Sequence, residues 1–77
     1  MSERVLFYLT QSGPREDKWW LLIEDDGRTL VEHEWKDGDG MHVEDAIEAM
    51  AFLAGAHDAR AQEELRTFEA GRSKRQK

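Results

Sequence analysis

The chain has 77 residues, no cysteine, and 17 acidic against 11 basic side chains, for a formal net charge of −6. That length allows one domain burying roughly 60% of its unfolded surface, which argues against a deep catalytic cleft. The missing cysteines exclude disulfides and thiolate metal sites, and no apolar run approaches the roughly eighteen residues of a membrane span.

Residues 4–10 (RVLFYLT) form an apolar, aromatic and β-branched run, ended by Gln11-Ser12-Gly13-Pro14. This predicts a first strand and a turn. The run from Val5 to Leu9 is too short for the apolar region of a signal peptide, so a cytoplasmic protein without membrane contact is expected.

Residues 18–24 (KWWLLIE) and 28–36 (RTLVEHEWK) predict a second and a third strand, joined through Glu24-Asp25-Asp26-Gly27-Arg28. A two-residue turn at Asp26-Gly27 would set Leu21 against Glu32 and Trp19 against Glu34, mixing carboxylates with the best apolar residues. A three-residue loop, with Asp25-Asp26 in a type I turn and Gly27 as the bulge, sets Leu21 against Val31 and Trp19 against His33. One face then reads Trp19, Leu21, Ile23, Val31, His33 and Trp35. The other reads Trp20, Leu22, Glu24, Leu30, Glu32 and Glu34. A one-residue slip exchanges the two faces, so the pattern selects the bulged loop.

Asp37-Gly38-Asp39-Gly40 predicts a loop. It is not a calcium loop, because Met41 and His42 occupy the positions that need an oxygen ligand and a glycine. From Val43 the spacing of Val43, Ile47, Met50, Ala54, Ala61, Leu65 and Phe68 predicts helix, with Glu44, Asp45 and Glu48 in the first turns, where they suit the dipole. A helix unbroken over residues 43–69 would run about 40 Å, longer than such short strands can cover. Gly55 as a C-terminal cap, with Asp58 starting a second helix, is the favoured alternative to one long helix. Residues 72–77 carry Arg72, Lys74, Arg75 and Lys77 without an acid, and are expected to form a disordered basic tail after a domain of residues 1–71.

The fold expected is therefore α+β: three antiparallel strands of open order, then one long or two short helices on one face. The expected core is Val5, Phe7, Leu9, Trp19, Leu21, Ile23, Val31, Trp35, Ile47, Met50, Leu65 and Phe68.

No chemistry is legible. His33, His42 and His57 lack the i, i+4 spacing of a helical zinc pair, Ser12, Ser73 and Thr10 have no adjacent histidine, and no phosphate-binding glycine loop exists. Neither catalysis, a metal nor a cofactor is expected.

Residues 16–48 hold twelve carboxylates and three cations, a local net of −9, together with all three tryptophans. Because strand neighbours face opposite sides, one of Trp19 and Trp20 must lie outside the core. Trp20 and Leu22 are the expected aromatic and apolar anchor. Glu24, Asp25, Asp26, Glu32, Glu34, Asp37, Asp39, Glu44 and Asp45 form the expected acidic rim. Such a surface repels phosphate, so direct nucleic-acid binding by the acidic body is not expected.

With these carboxylates on the hairpin and helix start and Trp20 among them, the chain resembles the small acidic inhibitors of phages and mobile elements, including anti-CRISPR proteins and other DNA mimics. The resemblance is one of length, acidity and a small sheet with helix. It involves no shared motif, and the basic terminus is not part of the pattern. It implies an inhibitor that occupies a basic protein surface, such as the nucleic-acid channel of a defence complex. The alternative is a small structural or adaptor module that pairs with itself, and monomer and homodimer both remain open.

Overall fold

A computed structural model describes the backbone of residues 2–75 and the side chains of residues 2–72. The class is α+β. Five strands, β1 (Glu3–Ser12), β2 (Arg15–Ile23), β3 (Thr29–Asp37), β4 (Gly40–Val43) and β5 (Ile47–Glu48), precede two helices, α1 (Ala49–Ala54) and α2 (Ala59–Arg75). The antiparallel sheet has the order β1-β2-β3-β4, and β5 also pairs with β3.

The β2–β3 hairpin adopts the bulged register, with Leu21 opposite Val31 and Trp19 opposite His33. Its three-residue loop is closed by the Gly27 N–H donating to Glu24 O at 3.0 Å and the Glu24 N–H donating to Arg28 O at 2.8 Å. Gly27 has φ +93°, a conformation that side chains with a Cβ rarely adopt. Pairing hydrophobic positions across the strands thus sets the register, and the glycine makes it geometrically possible.

Residues 43–48, expected to be helical, instead form the end of β4, a short connection and β5. Gly38 and Asp39 form a tight turn, since Asp37 pairs with Gly40 and the Asp37 carboxylate accepts the Asp39 N–H at 2.8 Å. The chain therefore doubles back along β3, and β4 and β5 pair with an edge whose backbone groups would otherwise lack partners. Ile47 lies opposite Val31 and Glu48 opposite Leu30, so Glu44, Asp45 and Glu48 do not occupy the first turn of a helix. Among the described residues five strands, not three, make up the sheet.

The helix break falls where expected. Gly55 caps α1, its N–H donating to Ala51 O at 2.9 Å. Its backbone is extended (φ −93°, ψ −178°), so a left-handed turn is not what calls for glycine here. A Cβ would stand 2.9 Å from the His57 ring and 3.0 Å from Ala51 O, so space is the reason. The Asp58 carboxylate accepts the Ala61 N–H at 2.9 Å, starting α2. The Gln62 amide then reaches back to Phe52 O at 2.7 Å and Gly55 O at 2.9 Å, tying α2 to the end of α1. Helix α2 continues through Gly71 to Arg75, so residues 72–75 of the expected tail are helical, while Gln76 and Lys77 lie outside the described residues.

Both helices pack on one face of the sheet. Trp19, Leu21, Val31, Ala49, Phe52, Ala61 and Leu65 are buried together, with Phe7, Tyr8, Ile23, Ile47, Leu53 and Phe68 packed around them. Four expected core positions lie outside this cluster, Val5 on β1 among them. Leu9 is 45% exposed because β1 carries a bulge: Leu6 pairs with Trp20 but Tyr8 pairs with Trp19, leaving Phe7 as the additional residue. Beyond the bulge the alternation reverses, Tyr8 takes the core side and Leu9 the other. Met50 is 83% exposed because α1 starts at Ala49, which turns Ala49, Phe52 and Leu53 inward instead. Trp35 lies outside the buried cluster, among the rings of His33 at 4.9 Å and His42 at 5.2 Å.

Candidate functional site

Directly paired residues of antiparallel strands share a face, so the register maps the sheet's second side. There β1 contributes Arg4, Leu6 and Leu9, and β2 contributes Glu16, Lys18, Trp20 and Leu22. Leu30, Glu32, Glu34 and Lys36 come from β3, Met41 and Val43 from β4, and Glu48 from β5. The helices pack on the other side. Leu6, Leu9, Met41 and Val43, four of the five large hydrophobic residues that stand exposed among the described residues, all belong to this open face.

At its centre lies Trp20, half-buried. Its indole N–H donates to Glu34 Oε1 at 3.0 Å, and the Arg4 guanidinium sits 3.8 Å from the ring centroid. Arg4 also binds Glu32 at 2.8 Å and Glu34 at 3.1 Å. Arg4 is thus the counter-ion of both central carboxylates and the cover of the indole, a contact strengthened by ring electrostatics. Lys18 reaches Glu16 at 3.6 Å. The paired positions of this face hold four carboxylates, Glu16, Glu32, Glu34 and Glu48, against three cations, Arg4, Lys18 and Lys36.

The structure brings Trp20, Leu22, Glu32 and Glu34 of the expected surface together. Glu24, Asp25 and Asp26 sit at one end of the sheet, at the β2–β3 turn, where the Asp26 carboxyl is held below its ordinary range by the Arg28 N–H and side chain. Asp37 and Asp39 belong to the β3–β4 turn at the opposite end, and the Asp39 N–H keeps the Asp37 carboxyl low. Glu44 and Asp45 line a cavity on the helical side. The acids do not form one rim around Trp20. Sequence spacing could not reveal this, because the fold directs successive turns to different ends and sides.

The cavity on the helical side has a volume of about 320 Å³. Trp19 and Phe52 line it, their rings 5.8 Å apart. The His33 imidazole lies flat on Trp19, with centroids 3.8 Å apart and planes within 2°. Its Nε2 is 2.7 Å from Asp17 Oδ2 and its Nδ1 is 2.7 Å from Glu44 Oε1. Arg15 grips Asp17 through two bonds of 2.8 and 3.0 Å. Those bonds, followed by the one to His33, hold the Asp17 carboxyl below its ordinary range against the opposing effect of burial. Sequence reasoning missed this cluster. Its one legible signal was the predicted pairing of His33 with Trp19; Asp17 lay outside the predicted second strand, and Glu44 was placed in a helix.

Among the described residues no helix is long and apolar enough to cross a membrane. No protein-family model matches the chain, and no curated protein or solved structure matches it.

Proposed function

We propose that this protein is a non-enzymatic binding module whose open sheet face associates with a second copy of the chain. The supporting observation is that four exposed hydrophobic residues, Leu6, Leu9, Met41 and Val43, share one side of the sheet with Trp20. Its charges nearly cancel, three cations facing four carboxylates, in a chain whose net charge is −6. A row of Lys and Arg on a nucleic-acid-binding protein would find no uninterrupted row of carboxylates there. Two such near-neutral faces can instead be apposed without stacking like charges.

Sedimentation equilibrium of the full chain tests this. A concentration-dependent dimer is expected, lost in a Leu9→Gln/Met41→Gln variant whose circular dichroism is unchanged. A wild-type monomer at all accessible concentrations would refute it.

Inhibition of a basic, nucleic-acid-binding partner, in the manner of an anti-CRISPR protein or DNA mimic, is the second reading. What favours it is that most of the chain's negative excess lies off the open face, on the two hairpin turns and the cavity rim. Its mark would be salt-sensitive capture of a basic protein that is unaffected by the Leu9→Gln/Met41→Gln change.

A further inference from the structure

The His33 cluster joins side chains from three places in the fold, His33 itself lying on β3. Asp17 belongs to β2 within the sheet, and Glu44 to the short connection between β4 and β5 that forms one wall of the cavity. An ionised carboxylate only accepts hydrogen bonds, so both 2.7 Å contacts are hydrogen bonds at once only when the imidazole carries both of its protons. Histidine is the side chain that ordinarily loses its second proton between about pH 5 and 8.

We propose that His33 is a proton-operated latch that fastens Glu44 to the rim of the cavity and releases it when the imidazole becomes neutral.

The geometry decides which contact yields. Asp17 is held by two bonds from Arg15 and its side chain is 15% exposed, so it stays in place and the remaining ring proton stays on Nε2. Stacking on Trp19 keeps the ring from rotating away. The Nδ1 lone pair then points at the lone pairs of Glu44 Oε1, two acceptors at contact distance. The Glu44 side chain is 61% exposed and turns to water at little cost. The Glu44 N–H still donates to His33 O at 2.9 Å, so the movement is confined to the Glu44 side chain and residues 45 and 46, and β4 stays paired.

Other charged groups face the same cavity: Arg15 from β2, Asp45 beside Glu44, and His57 and Asp58 from the connection between the helices. His42 on β4 is separated from His33 by the Trp35 ring. Of all these groups, only Asp17 and Glu44 make polar contacts with the His33 ring nitrogens among the described residues.

The test is a nuclear magnetic resonance pH titration of the full chain with the three histidine rings assigned separately. The Glu44 side-chain carboxyl carbon and the Asp45 and Ala46 amides are expected to shift with the same midpoint as the His33 ring. In Glu44→Gln, which changes an exposed side chain and leaves the fold intact, His33 still titrates but the Asp45 and Ala46 amides no longer follow it. The proposal is overturned if these signals are flat through the His33 transition, if they follow His42 or His57, or if the amides still track His33 in Glu44→Gln. It does not depend on association through the open face.

Discussion

Phe52 is 2% exposed and closes the core between Trp19 and the helices, whereas Met50, two residues away on the same helix, is 83% exposed. Truncating a buried phenylalanine costs ~3–5 kcal/mol, close to the whole stability expected of a domain this small. Phe52→Ala should therefore be largely unfolded in the absence of denaturant, while Met50→Ala should shift stability by less than about 0.5 kcal/mol, as urea melts followed by tryptophan fluorescence will report. Asp17 makes a different kind of contribution. Its folded-state carboxyl is held low, first by Arg15 and then by His33, so the unfolded chain takes up that proton first as pH falls. Stability from Asp17 is complete above the ordinary carboxylate range near about pH 4 and is lost as pH drops through the lower folded value. Asp17→Asn should flatten the acid limb of a plot of urea midpoint against pH, leaving the remaining carboxylates to account for what slope persists. Neither role was readable from the residue alone. Phe52 entered no predicted stripe because the predicted helix began in the wrong phase, and Asp17 lay among charged residues ahead of the predicted second strand.

At the scale of elements, the hairpin β2–β3 and the start of α2 were both legible, because each is decided by a few adjacent residues. Pairing Leu21 with Val31 chose the register, and Asp58 announced the second helix. Asp58→Ala removes the side-chain acceptor of the Ala61 N–H and should cost ~1 kcal/mol, measured as a lower urea midpoint. A weaker hold of α2 should accompany it, read as faster amide exchange in its first turn. The bulge in β1 and the replacement of helix over residues 43–48 by the end of β4, a short connection and β5 were not legible. A bulge changes which face every later side chain occupies, yet nothing in RVLFYLT marks Phe7 as the additional residue. Residues 43–48 match a helical stripe about as well as a strand, and the unpaired edge of β3 decided between the two.

For the whole molecule the question is where a charge of −6 resides. Arg4 neutralises the centre of the open face, and the acid excess collects on the turns and cavity rim. The two functional readings then respond oppositely to ionic strength. Two copies carrying like net charge repel at long range, so raising salt from 50 to about 500 mM should strengthen self-association or leave it unchanged, because the Debye length shrinks to several ångströms. Binding to a basic partner would instead weaken steeply over the same range, and sedimentation at the two salt concentrations separates these outcomes.

Alternating hydrophobic residues, one glycine that admits a positive φ and one helix-starting aspartate were enough to determine the α+β class, the central register and the helix break from the chain alone, because these depend on neighbours a few residues apart or on a single pair of strands. Only the tertiary structure decided that twelve clustered carboxylates would be distributed over two turns, an open face and a cavity rim, and that His33 would meet Asp17 and Glu44. Those arrangements depend on where β4, β5 and the bulge of β1 send side chains in space, and long-range backbone pairing, not local spacing, controls that.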